Sequence, residues 1–229
     1  MIKVKSCFGK GCEAINSKRK YDAVLGISVG SRAFSKKAIE NYLLFCLDHF
    51  DRILILIVDS IKKYNFMAFS DLSEKEALEK AMYEGDEFYK AVKRVIKTLQ
   101  LSKHDTSRLK LAKWDEVASE IKSRNIVLKL LKKEYAENSV FSIDCLQMTN
   151  KYFEARTKIK SRIENKEIAV NFLLEELALF LTIGSSEKFG HAIDVYPGKF
   201  EVMENILDNK YRDLLKKLPE VNYGHIEIE

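Results

Sequence analysis

An uninterrupted apolar run at residues 52–58, Arg-Ile-Leu-Ile-Leu-Ile-Val, constrains the fold of this chain more than any other feature. The run is too short for a buried helix, and it lacks the alternation of a strand with one solvated face. Such runs are typical of central parallel strands that helices cover on both faces. Residues 21–28 form a second β-prone run, and residues 36–50 between the two follow an amphipathic helical pattern. The order strand, helix, strand predicts a βαβ unit.

The remaining pattern extends this unit into one α/β domain over residues 1–229. We predict an edge strand at residues 1–5, a polar loop at 6–20, parallel strands at 109–114 and 192–196, and helices at 73–99 (divided near Gly85), 116–137, 142–163, 168–183 and 200–218, with a terminal tail. Alternating strands and helices predict an α/β sandwich with a mainly parallel central sheet. The ligand site of such a fold lies at the carboxyl ends of the strands.

Ser28 stands at the carboxyl end of the first of these strands, between Gly26 and Gly30. Glycine lacks a Cβ and tolerates positive φ, so a serine flanked in this way can sit on a tight turn with its hydroxyl exposed. The helical pattern resumes near Ser35, which places Ser28 at a strand-to-helix junction where backbone N–H groups can stabilise an oxyanion. The pattern is short, and an ordinary turn is its commoner meaning.

Composition narrows the class of protein. The 229 residues are 46% hydrophobic and 32% charged, with only 2 prolines, which is typical of a globular protein without long linkers. We find no signal peptide and no apolar run of membrane length, and we predict a cytoplasmic protein without membrane contact. The four cysteines lack metal-binding spacing, so no metal is predicted; Cys46 should be a buried thiol, and Cys7 and Cys12 are too far apart in sequence for a redox pair. The net charge of +5 permits a polyanionic partner without requiring one.

A serine hydrolase would need a histidine held by a carboxylate to activate the serine. The chain has four histidines, for which we predict surface or capping roles: His49, His104, His191 and, in the terminal tail, His225. Only His191 is plausibly placed for catalysis. Phosphate-loop and dinucleotide fingerprints are absent, so no nucleotide cofactor is predicted. Ser28 would therefore have to act on an acyl donor that is already activated.

Three further motifs lie downstream. The late turns of the 73–99 helix place four cations about 180° from its apolar positions, and we call them the basic stripe (Lys90, Lys93, Arg94 and Lys97). Glu175 and Glu176 interrupt the most apolar helix of the chain, and Tyr196 precedes Pro197-Gly198. Each motif alone also fits an ordinary structural role, such as a solvated helix face or a packing tyrosine.

Together, in this order and at this spacing, the motifs resemble those of the cyclodipeptide synthases. The resemblance spans about residues 21–218 and rests on Gly26-Ile-Ser28-Val-Gly30, Asn41-Tyr-Leu-Leu-Phe45, the apolar strand ending at Asp59, the basic stripe, Phe172-Leu-Leu-Glu-Glu-Leu-Ala178 and Tyr196-Pro197-Gly198. It implies a Rossmann-like fold similar to the catalytic domain of class I tyrosyl- and tryptophanyl-tRNA synthetases. It also implies that two aminoacyl-tRNAs, without ATP or another cofactor, are converted into a diketopiperazine.

The resemblance assigns roles to individual residues. Ser28 matches the nucleophile of a ping-pong mechanism through aminoacyl- and dipeptidyl-enzyme esters, Glu176 matches a glutamate that holds the amino group, and Tyr196 matches a tyrosine that relays protons. The basic stripe resembles the helix that receives a tRNA acceptor stem through phosphate contacts. Substrate-binding positions are Val24, Gly26, Ser31, Phe172 and Pro197. Because Ser31 is not asparagine and proline follows Tyr196, the chain resembles the subfamily with Tyr-Pro at this point.

Phe172 departs from the family, which usually has tyrosine four residues before the helix glutamate. Phenylalanine loses the hydroxyl that would share in binding the amino group, so Glu176 or another polar group must do more. An alternative register with Asn171 and Glu175 spoils the spacing to Tyr196, and we prefer Phe172 with Glu176. Two other functions stay open: a serine hydrolase or acyltransferase of small esters, and a non-catalytic tRNA-binding module of synthetase-like fold. We expect a monomer, and the sequence does not indicate which amino acids are joined.

Overall fold

The computed structural model of the chain describes residues 2–17, 19–70, 72–154, 163–184, 191–218 and 223–229. These residues form one six-stranded sheet in the order β1-β6-β5-β2-β3-β4. The strands are β1 (Val4–Gly9), β2 (Asp22–Ser28), β3 (Ile53–Val58), β4 (Leu109–Lys113), β5 (Ala192–Tyr196) and β6 (Gly224–Ile228). The pair β1–β6 is antiparallel and the other four pairs are parallel, which confirms the predicted mainly parallel sheet.

The apolar run that dominates the sequence forms β3, between β2 and β4, and all its residues are buried. Alternate residues of the central strands enter two different cores. On the closed face, Leu25, Ile27 and Ile55 pack with α2 (Lys36–His49) and the end of α4 (Glu74–Thr98). On the opposite side, the cavity face, Val24 and Leu56 pack with α9 (Ile163–Ile183).

The other helices of the described residues surround this sheet. They are α1 (Lys10–Asn16), α3 (Lys63–Ser70), α5 (Lys103–Ser107), α6 (Trp114–Ala118), α7 (Arg124–Glu137), α8 (Ser139–Glu154), α10 (Glu201–Leu207) and α11 (Leu214–Lys217). The predicted helices at 116–137 and 200–218 are therefore each two helices. The predicted helix at 142–163 begins earlier, at Ser139, and its residues 155–162 lie outside the described residues.

Gly85 does not divide α4, and the predicted break is wrong. A Cβ at this position would lie 2.4 Å from the Cβ of Asp59, so the glycine lets α4 approach the end of β3 closely. The start of the helix is well specified, because Ser73 and Glu76 form a capping box. Gly85 is therefore required for close packing of α4 on the sheet and does not mark a helix end.

Both chain ends differ from the prediction. The predicted edge strand at 1–5 lies later, as β1, and part of the predicted loop at 6–20 is α1. The predicted tail contains β6, which pairs with β1 and β5. Gly11 of α1 packs on the His225 backbone so closely that a Cβ would lie 2.2 Å from its carbonyl oxygen. Residues near both ends thus complete the sheet beside β5.

The prediction that Cys7 and Cys12 are too far apart to pair is also wrong, because the chain turns between β1 and α1. This turn brings the Cα atoms of Cys7 and Cys12 to 5.1 Å, and the two residues form a disulfide. A Cα separation of about 4.4–6.8 Å is the range that disulfides need, and five residues suffice to reach it when the chain reverses between them. Cys46 and Cys145 are free and buried, and burial raises the pKa of both thiols.

Candidate active site

Ser28 is the last residue of β2 and opens the turn that leads to α2. The Ser31 N–H donates to the Ser28 carbonyl oxygen at 3.1 Å, and Gly30 has a φ of +80°. Only glycine adopts that conformation without strain, so the chain can reverse directly after the serine. The Ser31 hydroxyl then accepts from the Ala33 N–H and caps a short 3₁₀ turn, Arg32–Phe34. The sequence pattern around Ser28 therefore forms a strand-to-helix junction.

Tyr196 lies next to Ser28 because β2 and β5 are neighbouring parallel strands. The Ser28 Oγ and the Tyr196 hydroxyl oxygen are 3.2 Å apart, and either atom can donate the hydrogen bond. The Tyr196 ring packs against Phe34, with 5.8 Å between ring centroids, and lies beside Gly198. These contacts hold the phenol over the serine. The pair can therefore exchange a proton in either direction.

Both residues line a cavity of about 440 Å³ at the carboxyl ends of β2 and β5. This volume lies within the range of about 300–1,000 Å³ that is usual for small-molecule sites. Most of its walls are apolar side chains from the sheet, α8, α9 and the segment after β5 (Val58, Met148, Leu173, Phe180 and Phe200). Gly26 is part of the floor, and a Cβ there would lie 3.4 Å from the Phe180 ring. A larger residue at position 26 would occupy part of the cavity.

The two glutamates of α9 face different surroundings. Glu176 lines the cavity, whereas Glu175 is buried and forms an ion pair with Arg124 of α7. The Tyr64 hydroxyl donates to the Glu175 carboxylate at 3.4 Å. Adjacent helix positions point about 100° apart, so both carboxylates cannot face one cavity. Of the two registers, the one with Phe172 and Glu176 has both of its residues on the cavity wall.

Phe172, which stands where a tyrosine was expected, lines the cavity. Its ring stacks on Tyr152 of α8 with 6.3 Å between centroids. Pro197 also lines the cavity. Val24 is 1% exposed in the core behind the cavity wall, and Ser31 caps its 3₁₀ turn; the cavity wall includes neither residue.

A buried polar pair that the sequence analysis missed lies against the same cavity. Asp194 and His225 are register partners on β5 and β6, and the Asp194 Oδ2 is 3.0 Å from the His225 Nδ1. The His225 Nε2 is 3.0 Å from the Gly198 carbonyl oxygen, and the Tyr223 hydroxyl donates to Asp194. Burial lowers the His225 pKa, but the Asp194 carboxylate and the Gly198 carbonyl outweigh burial and raise it. Because His225 lies in β6 and is 1% exposed, the surface or capping role predicted for it was wrong.

A signal for this pair was present in the sequence. Asp194 is the one charged residue of a five-residue apolar strand, and His225 begins the alternating run His-Ile-Glu-Ile. Polar residues at positions that face a core need partners, and two such residues on adjacent strands can supply each other. Because the residues after about 218 were predicted to be a terminal tail, the second strand was not recognised.

The basic stripe lies on α4 with all four side chains exposed, while Val92 and Val95 of the same turns are buried. Lys90 forms a surface ion pair with Glu87 at 2.8 Å. Further towards the start of α4, Asp86 pairs with Lys113 of β4. Positive charge on this helix is therefore concentrated in its last three turns.

Three further observations concern histidines, metal ligands and apolar helices within the described ranges. Among the described residues that line the cavity there is no histidine, and His191 is exposed beside Tyr21. No three His, Cys, Asp or Glu side chains of the described segments are grouped to hold a metal ion. In the same segments, no helix combines the length and apolar character that crossing a membrane requires.

Comparison of this chain with known proteins finds similar structures and a matching family model. The structure of a cyclodipeptide synthase from Bacillus thermoamylovorans is similar with a TM-score of 0.78 and 18% identity, over 100% of this chain and 95% of that one. One from Staphylococcus haemolyticus has a TM-score of 0.76 and 17% identity, over 100% and 98%. The tyrosyl-tRNA synthetase of Archaeoglobus fulgidus has a TM-score of 0.52 and 17% identity, over 94% and 56%.

The structural similarities confirm the predicted Rossmann-like fold related to class I tRNA synthetases. No curated protein sequence matches the chain significantly. The family model for cyclodipeptide synthases, however, matches residues 4–226, which is nearly the whole chain. The chain therefore belongs to the cyclodipeptide synthase family, whose members make cyclic dipeptides from aminoacyl-tRNAs.

Proposed function

We propose that this enzyme joins the aminoacyl groups of two charged tRNAs by a ping-pong mechanism in which Ser28 carries both covalent intermediates. The observation that carries the proposal is the 3.2 Å hydrogen bond between the Ser28 Oγ and the Tyr196 hydroxyl at the wall of the cavity. A serine without a histidine needs an activated acyl donor and a group that moves its proton. An aminoacyl-tRNA ester supplies the first, and Tyr196 supplies the second.

In the first step, the Ser28 Oγ attacks the carbonyl carbon of the aminoacyl ester. The bond from that carbon to the ribose oxygen of the tRNA breaks, and the serine proton leaves through Tyr196 to the ribose oxygen. The aminoacyl group is then an ester of Ser28. Glu176, on the cavity wall, binds its ammonium group, because an ammonium in a mostly apolar cavity needs a carboxylate partner.

In the second step, the ammonium releases one proton to solvent, and the resulting amine attacks the ester carbonyl of the second aminoacyl-tRNA. The bond from that carbon to the second ribose oxygen breaks, this oxygen leaves with a second proton from the attacking amine, and a dipeptide remains attached to Ser28. The terminal amine of this dipeptide then attacks the Ser28 ester, the serine recovers its proton, and the cyclic dipeptide is released. Tyr196 can donate and accept the protons of this last exchange because a phenol does both.

We assign tRNA binding to the basic stripe, whose four exposed cations suit sequence-independent contacts with acceptor-stem phosphates. We also assign the chain to the subfamily with Tyr-Pro, on Tyr196-Pro197 and on Ser31 in place of asparagine.

Intact-mass measurement of the enzyme mixed with charged tRNAs tests the covalent step. The wild-type protein should gain the mass of an aminoacyl group, and Ser28→Ala should show no adduct and a loss of product on the order of 10³-fold or more. Ser60→Ala is the matched control, because Ser60 is also a buried serine just after a central strand but does not line the cavity. An adduct that survives in Ser28→Ala would contradict the mechanism.

A further inference from the structure

Asp194 has a carboxylate oxygen to which no described residue donates a hydrogen bond. Its side chain lines the cavity and is 4% exposed. Its Oδ2 accepts from Tyr223 and lies 3.0 Å from His225, but its Oδ1 is buried and has no hydrogen-bond partner among the described residues. A buried carboxylate oxygen is costly to leave without a donor. An acceptor of this kind on a cavity wall points to a ligand that brings the donor.

The surroundings of His225 determine the charge of this group. The Gly198 carbonyl oxygen can only accept, so the His225 Nε2 must carry a proton. The Asp194 Oδ2 already accepts from Tyr223, which favours a carboxylate that accepts from a protonated Nδ1 as well. The resulting imidazolium and carboxylate have no net charge. A ligand at Oδ1 therefore meets an acceptor whose negative charge is already balanced.

Two more polar atoms on the cavity walls lack partners among the described residues. They are the side-chain amide nitrogen of Asn65 on α3 and the hydroxyl oxygen of Thr149 on α8. Asn65 offers a donor, and Thr149 can donate or accept. Three polar groups without partners among the described residues, on the walls of one mostly apolar cavity, are typical of a site that fixes a polar part of its ligand.

We propose that Asp194 is a specificity-determining residue that binds an uncharged hydrogen-bond donor, a hydroxyl or carboxamide group, on the side chain of one of the two amino acids. The proposal rests on the proposed function and adds the chemical class of substrate to it. A cationic side chain is disfavoured, because it would add an unbalanced positive charge to a buried pair that is already neutral. A carboxylate side chain would place an acceptor against an acceptor.

The test supplies the purified full-length enzyme with total tRNA charged with all twenty amino acids and identifies the cyclic dipeptides by mass spectrometry. The main wild-type product should contain serine, threonine, tyrosine, asparagine or glutamine. In Asp194→Leu, the ratio of this product to products of two apolar amino acids should fall at least about 100-fold, because sites built around a hydrogen bond discriminate strongly.

A second variant covers the case in which Asp194→Leu does not fold. Asp194→Leu combined with His225→Leu and Tyr223→Phe removes all three side chains of this network, and replacing hydrogen-bonding partners together by apolar groups costs less than leaving one unpaired. The same shift in product ratio is expected. Asp59→Asn is the control, because Asp59 is a buried carboxylate that has one oxygen without a hydrogen bond and does not line the cavity. Its product ratio should equal that of the wild type.

Each other outcome overturns the proposal. A wild-type product of two apolar amino acids, or one with a charged side chain at the discriminating position, contradicts it and leaves the proposed function intact. An unchanged product ratio in a folded Asp194 variant does the same. If the wild-type enzyme makes no cyclic dipeptide at all, the proposed function fails, and the proposal fails with it.

Discussion

The two faces of the central sheet are built from the same strands but carry different kinds of residue. On the closed face, β2 and β5 contribute Leu25, Ile27 and Val195, all fully buried in a continuous apolar core. On the cavity face, the alternate positions of the same two strands are Gly26, Ser28, Asp194 and Tyr196. A pleated strand sends successive side chains to opposite faces, so one strand can be a packing element on one side and a reaction surface on the other. Substitutions one residue apart should then have different consequences.

Gly26→Val and Leu25→Ala test this separation most directly and should have the largest effects. Gly26→Val places methyl groups against Phe180 and into the cavity, and displacement of substrate from Ser28 should lower activity by about 100-fold. Leu25→Ala leaves a void in the closed core and should lower the free energy of unfolding by about 2–5 kcal/mol.

The test measures two quantities for each variant: the free energy of unfolding in denaturant and the rate of product formation per folded molecule. The folded fraction of Leu25→Ala should form product at close to the wild-type rate. A large activity loss in that fraction would show that the two faces are not independent.

The adjacent residues Glu175 and Glu176 of α9 show the same contrast between a structural role and a role at the site. Their substitution should have the next largest effects. Glu176→Gln should lower activity by about 10-fold or more with little change in stability, because an ionic hydrogen bond to the ammonium group is worth about 1.5–3 kcal/mol. Glu175→Gln removes the ion-pair partner of Arg124, whose side chain is 12% exposed. Loss of one member of a buried ion pair costs up to about 3–5 kcal/mol, and the retained amide should reduce that cost.

Thermal unfolding and steady-state kinetics on the two variants distinguish the roles. The Glu176 effect should appear chiefly in kcat/KM at unchanged melting temperature. If instead Glu175→Gln lost activity at full stability, the assignment of the ammonium site to Glu176 would be wrong.

The closed face was predictable from sequence and the cavity face only in part. Continuous apolar runs and helical periodicity are local signals, and they located β2, β3, α2 and α4 to within a residue or two. The pattern around Ser28 was local as well. Which glutamate of α9 faces the cavity depends on how the helix packs against α7, and only the spacing to Tyr196 favoured Glu176 in the sequence.

The pair of Asp194 and His225 was missed, because the two polar residues meet only through the pairing of β5 with β6, 31 residues apart in sequence. Once the last residues were interpreted as a tail, no local signal connected them to the site. The disulfide between Cys7 and Cys12 was missed for a related reason, since it depends on the chain reversal between β1 and α1. Contacts made by chain ends that complete a sheet are set by topology rather than by local pattern.

The smallest predicted effect is on the pH dependence of the free energy of unfolding. Of two adjacent residues of β6, substitution of His225 should change this dependence and substitution of Ile226 should not. The Asp194 carboxylate and the Gly198 carbonyl, with Glu204 nearby, hold the pKa of His225 above its unfolded value of about 6.5. The folded protein then binds a proton more tightly than the unfolded chain. The stability from this pair is fully present below about pH 6.5 and is lost as pH rises through the raised pKa.

Free energies of unfolding across this pH range, for wild type and His225→Gln, measure the effect. The difference between them should be largest at the acid end and should shrink as pH rises. Ile226→Val is the control on the closed face, and its cost of about 0.5–1.5 kcal/mol should be the same at every pH, because it removes only buried apolar contact. A difference between wild type and His225→Gln that does not vary with pH would mean that His225 is buried neutral, and the charge balance inferred for Asp194 would then be wrong.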